Sequence, residues 1–339
     1  MRRYLVILAM LLAMVASCDV HQFPEGEADV ELTLHLVYNG DLPQYKIIDY
    51  TTRADEISDE DGEFPYNARY VVEFYPAEER GYSKTSCKRV VFTGPDVVSL
   101  DTTVTVLLPP AKYRAVAWTD FVEDGSEEDL FWNPSDFNEI TFADRTYEGG
   151  NDFKSCFNGD KEIDISMYTR NGETHSEVIN LSRPVAKFNF IATDRNDFIL
   201  MMLRMFQEQG ITKADVDLST YKVLFQYSQY LPCAFNALSN KAIDSVTGVW
   251  FNSDMKELED GDVEMGFDYV LVNGEESKVI VSVGIYDAEG EEIGTVRDIQ
   301  VPLKRSHLTT VRGKFLTSGS SSGVSIDPTY DGEFNIFIQ

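Results

Sequence analysis

The chain has 339 residues, 57 of them acidic against 29 lysines and arginines, giving a formal net charge of −28 with histidine neutral. That excess argues against nucleic acid and against docking on anionic headgroups by charge, since both call for a basic surface. Four cysteines are too few for a disulfide framework, and 43% hydrophobic residues over this length can form a core without one.

Arg2 and Arg3 precede an apolar run from Tyr4 to Ala16. A basic start, a short apolar stretch and small residues before a cut describe a secretory signal over residues 1–17. The run is shorter than the ~20 apolar residues of a membrane-spanning helix. Val15-Ala16-Ser17-Cys18 resembles the lipobox of bacterial lipoproteins. In that family the cysteine is acylated and becomes the first residue of the mature chain. The resemblance makes Cys18 a lipid anchor and leaves Cys87, Cys156 and Cys233 for at most one bridge.

Apolar and polar residues alternate from Ala28 to Val37, with Val30, Leu32, Leu34 and Leu36 on one face, the pattern of a half-buried strand. QYKIIDY (44–50), RYVVEFYP (69–76), DTTVTVLLP (101–109) and YRAVAWTDF (113–121) read as further strands, with Pro-Pro-Ala-Lys at 109–112 as a turn. Residues 124–160 are polar and rich in Gly and Asp, which predicts long connections pinned to a sheet by Phe131-Trp132 and Tyr147. A second series runs through 183–194, 221–235, 265–274, 277–287, 295–303 and 308–316, with turn-like breaks after 272 and 286. It reads as an antiparallel meander. Between its first two strands, RNDFILMMLRMFQEQG (195–210) places Ile199, Met202, Leu203 and Phe206 on one helical face, with Asn196 as N-cap and Gly210 as stop. The tail from 318 is small and polar, then ends in FNIFIQ, where Phe334, Ile336 and Ile338 share a face. That strand pairs within its own sheet or with a neighbouring molecule.

Catalytic patterns are missing from the sequence. His21, His35, His175 and His307 are isolated, and His175-Ser176-Glu177 lacks the P-C-x-x-C that would complete a deaminase zinc site. In the acidic run ADEISDEDGEF (54–64), an EF-hand register would put Ile57 and Ala68 at ligand positions, which neither can fill. Trp118, Trp132 and Trp250 are the candidates for stacking on sugars, although a tryptophan within a strand usually belongs to the core. Asp101-Thr102-Thr103 and Asp244-Ser245-Val246 have the form of short O-glycosylation signals. Arg53, opening the acidic loop after the second strand, is a site for an Arg-specific protease.

Three segments carry a resemblance to a known family: the lipobox, Arg183-Pro184-Val185-Ala186-Lys187-Phe188, and LKRSHLTTVRGKFL at 303–316. Together they resemble the fimbrillin-like lipoproteins of Bacteroidetes, in an uncharacterised branch of the type V pilus subunit superfamily. The resemblance implies a mainly β protein of two tandem transthyretin-like antiparallel β-sandwiches, here with one helix inserted in the second. The expected division is a signal peptide (1–17), a first sandwich (18–180), a second (181–317) and a tail with a terminal strand (318–339). It further implies a non-enzymatic, cofactor-free fimbrial or adhesin subunit in the outer membrane at the cell surface. Such a subunit is lipidated at Cys18, cleaved after Arg53 and assembled with other fimbrial subunits or with itself by strand exchange. The alternative is an uncleaved outer-membrane lipoprotein that binds glycans or a host surface ligand, or acts as a pilus anchor or accessory protein.

Overall fold

A computed structural model describes residues 29–38, 41–49, 66–94, 102–212 and 215–318. The first part of the chain supplies β1 (Val30–Tyr38), β2 (Gln44–Asp49), β3 (Tyr66–Glu78), β4 (Gly81–Tyr82), β5 (Lys88–Gly94) and β6 (Thr102–Leu108). Next come β7 (Lys112–Glu123), β8 (Trp132–Asn133), β9 (Ile140–Phe142), β10 (Phe157–Asp164) and β11 (Thr174–Leu181). The remainder opens with β12 (Val185–Ala192) and the helix α1 (Arg195–Glu208), then β13 (Lys222–Tyr227), β14 (Leu231–Asn236), β15 (Lys241–Val246) and β16 (Trp250–Asp254). It closes with β17 (Lys256–Glu257), β18 (Val263–Leu271), β19 (Glu276–Tyr286), β20 (Glu292–Lys304) and β21 (Leu308–Gly313). The protein is mainly β, built as sandwiches with one α-helix and two short 3-10 turns (Asp152–Lys154 and Leu218–Thr220) among the described residues. No helix among those residues is long and apolar enough to cross a membrane.

Period-two patterning sets the first core. Val104, Val106 and Leu108 of β6 and Val30, Leu32, Leu34 and Leu36 of β1 all turn inward. The sheet β11-β1-β6 thereby packs on Tyr70, Val72, Phe74, Ala115 and Ala117 from the sheet built of β10, β7, β3 and β5. In the second core, the sheets β17-β18-β12-β21-β2 and β16-β13-β19-β20 enclose Phe188, Phe190, Phe225, Val281, Ile299 and Val311.

A third apolar cluster joins the two. Val71, Trp118 and Cys156 meet Phe235, Tyr269 and Leu271 there, through Leu130, Phe131 and Trp132 of the long connection. The predicted pins are therefore in place: Phe131 and Trp132 are buried, and Tyr147 packs against the second core. Arg69 holds the same connection electrostatically. Its guanidinium donates to both oxygens of buried Asp120 (2.8 and 2.7 Å), to Asp129 (2.6 Å) and to the carbonyl of Trp132 (3.0 Å).

The meander expectation needs correction. β19 and β20 do form a consecutive antiparallel pair, but β12 lies parallel to β21 and β2 lies parallel to β21. Parallel neighbours need a long crossover, and residues 193–307 supply one between β12 and β21. The single strand expected over 221–235 is broken at 228–230, so that β13 and β14 enter different sheets. The helix begins at Arg195, with Asp194 rather than Asn196 at the N-cap position. Asp194 does not cap the helix with its side chain; it accepts from the Leu316 and Thr317 amides (3.2 and 2.8 Å) and the Thr317 hydroxyl (2.6 Å). Gly210 ends the helix as expected, at φ 77°, with the Ile211 amide reaching back to the Phe206 carbonyl at 2.8 Å. Phe198 and Met202 are its buried residues, with Ile199, Leu203 and Phe206 half-buried beside them.

Candidate functional site: the strands ahead of Arg53

β1 is an inner strand. It runs antiparallel to β6 from Val30 opposite Leu108 to Leu36 opposite Thr102, and parallel to β11 from Glu31 opposite Thr174 to Tyr38 opposite Leu181. Val30, Leu32, Leu34 and Leu36 are fully buried, and Tyr38 nearly so, its ring 4.5 Å from that of Phe157. On the outer face, His35 Nε2 lies 3.1 Å from Ser176 Oγ and Thr33 Oγ1 lies 3.3 Å from Thr105 Oγ1.

Beyond β1 the chain crosses to the second sandwich. Arg183 donates to the Asp41 carbonyl (2.8 Å) and to Ser155 Oγ (2.8 Å), with its guanidinium 4.8 Å from the Phe157 ring centre. The Leu308 amide then donates to the Pro43 carbonyl (3.0 Å), and Gln44 returns a side-chain hydrogen bond to the Leu308 carbonyl (3.0 Å). From there β2 follows β21 as the outer strand of its sheet. The two framework segments singled out in the sequence, around Arg183 and around Leu308, thus both grip residues ahead of Arg53.

A buried polar cluster lies near the seam between the sandwiches. Lys154 Nζ is 2.7 Å from Asp268 Oδ1 and 3.2 Å from the Glu148 carbonyl, over the Tyr147 ring at 3.7 Å. Asp268 also accepts from the Tyr147 and Tyr227 hydroxyls (2.7 and 2.6 Å) and from the Tyr269 amide (2.7 Å). Burial draws the Lys154 ammonium below the usual lysine range, against the pull of Asp268. Burial and then the Asp268 charge hold both tyrosine hydroxyls well above theirs. The sequence carried no signal for this cluster, because its members lie on separate elements and only the packing of the sandwiches joins them.

Cys18, Arg53 and FNIFIQ lie outside the described residues, as does the acidic run 54–64. Trp118 and Trp132 are core residues, whereas Trp250 is 51% exposed. His175 binds Tyr168 (2.9 Å) and Glu177 (3.1 Å). Among the described residues no group of three or more His, Cys, Asp or Glu is placed to hold a metal ion. Cys87, Cys156 and Cys233 are free thiols, with Cys156 buried.

The chain belongs to a family of unknown function, DUF6562, whose model matches residues 24–339. No curated protein matches it. Similar solved structures include proteins described as adhesins, fimbrial proteins and polysaccharide-binding proteins. One is a candidate adhesin from Bacteroides ovatus, with 12% identity, TM-score 0.41, and coverage of 87% of this chain and 91% of that one. The fimbrial anchor protein Mfa2 from Porphyromonas gingivalis has 10% identity, TM-score 0.38, and coverage of 79% and 82%. A fimbrial assembly protein from Parabacteroides distasonis has 10% identity, TM-score 0.37, and coverage of 93% and 100%. These likenesses are distant, and the fold rests on the strand pairing described above.

Proposed function

We propose that this DUF6562 protein is a non-enzymatic, fimbrial-type structural subunit, exported to the cell surface as a lipoprotein on Cys18. It is organised as domains over 18–180 and 181–317 and associates with other fimbrial subunits or with itself. Cleavage after Arg53 frees the segment that carries β1 and β2, and a strand from a neighbouring subunit replaces it. The position of β1 carries this reading: it is an inner strand with one fully buried apolar face, and it lies ahead of Arg53. Its loss would open an apolar trough between β6 and β11 and leave two strand edges unpaired, which is what a donated strand fills.

The test is the N-terminus of the protein isolated from its native outer membrane, read by intact mass and peptide mapping. A chain starting at Ala54 in high-mass, SDS-resistant ladders supports the exchanged subunit. A lipidated Cys18 with the Arg53 bond intact sinks strand exchange. Retention of β1 and β2 then leaves a closed molecule, suited to a pilus anchor or accessory protein. A mature chain that retains Cys18 without lipid on it would overturn the lipoprotein route.

A further inference from the structure

Lys154 is the only buried lysine among the described residues, 2% exposed, and its partner Asp268 is 0% exposed. Local structure aims both inward. Asn151 caps the short 3-10 turn at Asp152–Lys154 by accepting from the Phe153 amide, and the turn delivers Lys154 to the seam between the sandwiches. On β18, Asp268 stands opposite Phe188 of β12, and directly opposed residues share a face, here the one that enters the second core. An amine and a carboxyl group thus meet in apolar surroundings. Nζ lies 2.7 Å from Oδ1, with the Tyr147 and Phe142 ring centres 3.7 and 5.7 Å from the nitrogen. The buried pair Arg69–Asp120 has no such chemistry open to it, because a guanidinium keeps its proton.

We propose that Lys154 and Asp268 condense into an intramolecular amide, a covalent clasp across the seam between the two sandwiches. Freshly folded chain holds the ion pair, and the amide accumulates from it. One proton first moves from Nζ to Oδ1, which turns the ion pair into a neutral amine and a neutral acid. Burial favours that exchange and already draws the ammonium below its usual range. The Glu148 carbonyl, 3.2 Å from Nζ, holds another N–H of the amine. The nitrogen lone pair then adds to Cγ, one bond beyond Oδ1, and negative charge moves onto Oδ2. Both tyrosine hydroxyls donate to that oxygen, Tyr147 from 2.7 Å and Tyr227 from 2.6 Å, where an oxyanion needs its donors. Collapse breaks the Cγ–Oδ1 bond, and Oδ1 leaves as water with a second proton from the nitrogen. One ammonium and one carboxylate give one amide and one water, with no oxidant, reductant or co-reactant. Fixed proximity stands in for chemical activation, since well-oriented intramolecular groups react as though at about 10⁵ M or more. Exclusion of water from the seam then slows hydrolysis of the product.

Both residues lie beyond Arg53, so the bond and its test are independent of cleavage there. The full chain, purified in urea and refolded by dilution, would be sampled over days into denaturant and weighed by mass spectrometry. Folded samples should become lighter by one water, and chain held in urea should not change. Trypsin should then fail to cut after Lys154 and should release a branched peptide joining residues 146–161 to residues 257–278. Lys154→Arg keeps the charge and removes the nucleophile, so it should never lose the water. Tyr227→Phe should slow the loss about a hundredfold, as removal of one oxyanion donor does. A folded chain of unchanged mass overturns the amide. Loss of water from wild type and Lys154→Arg alike, with no branched peptide, also overturns it and marks a succinimide at another aspartate. Should Lys154→Arg fail to fold, the presence or absence of the branched peptide in the wild-type chain decides.

Discussion

At the scale of single residues, the Lys154–Asp268 cluster is unequal in its two halves. Asp268 accepts from Lys154, two tyrosine hydroxyls and one amide, whereas Lys154 has Asp268, one carbonyl and an aromatic face. Asp268→Ala strands a buried ammonium and should cost about 3–5 kcal/mol. Lys154→Met leaves the carboxylate with three donors and should cost less, about 1.5–3 kcal/mol for one charged hydrogen bond. Urea denaturation of the two variants orders them, and equal or reversed costs would remove the asymmetry. The same cluster sets the alkaline limit. Tyr147 and Tyr227, together with Tyr75 beside Glu73, keep their protons in the folded chain above the usual range. The unfolded chain releases them near about pH 10, so stability fully present below that value is lost as pH rises through the folded values. Lys154 works the other way, since deprotonation relieves its burial between its lowered value and the ordinary one. Three tyrosines against one lysine make the net slope negative. The urea midpoint should fall as pH rises above about 10, with tyrosinate absorbance appearing as the chain unfolds, and Tyr227→Phe should flatten the fall. A midpoint constant across that range would contradict the assignment.

At the scale of elements, β1 shows what alternation carries and what it leaves out. Val30, Leu32, Leu34 and Leu36 declared a strand with one buried face, and that face is buried. Leu34→Ala should cost about 2–5 kcal/mol in a chemical melt, whereas Thr33→Ala on the outer face should stay within about 0.5 kcal/mol. Similar costs at both positions would mean that β1 is not seated as described. Alternation is a local property, however, and says nothing of partners. That β1 lies between β6 and β11, or that β21 accepts β12 on one side and β2 on the other, depends on contacts distant in sequence. The start of α1 was misplaced for the same reason: Asp194 and Asn196 are both plausible capping residues, and only the distant Thr317 shows what Asp194 holds. Trp132 and Tyr147 could be read as pins because large aromatics in a polar stretch need a surface to cover them. Their target could not be read. Of the candidate site residues, Cys18 and Arg53 are legible only as motif and position, since neither draws on a pattern of packing.

At the scale of the whole molecule, residues 29–49 serve both sandwiches. β1 completes the first through two ladders, and β2 extends the second through one. A chain beginning at Ala54 therefore loses an inner strand from one sandwich and an outer strand from the other. Co-refolding that chain with synthetic peptides separates the two losses. A peptide of residues 29–38 should raise the melting temperature more than one of residues 41–49, because β1 restores twice the ladders and five inward side chains. A continuous peptide of residues 29–49 should bind more tightly than either piece, since seating one strand holds the other at an effective concentration in roughly the millimolar range. Replacing Leu34 by Asp in that peptide puts a carboxylate at a fully buried position and should abolish the gain. A chain from Ala54 that melts at the temperature of the full protein with no peptide present would show that neither strand is needed. Rescue by the Leu34→Asp peptide would show that the trough does not select an apolar strand. Rescue by 29–49 alone would mean that the two sandwiches are completed together, so that a donor acting in trans has to be long enough to reach both.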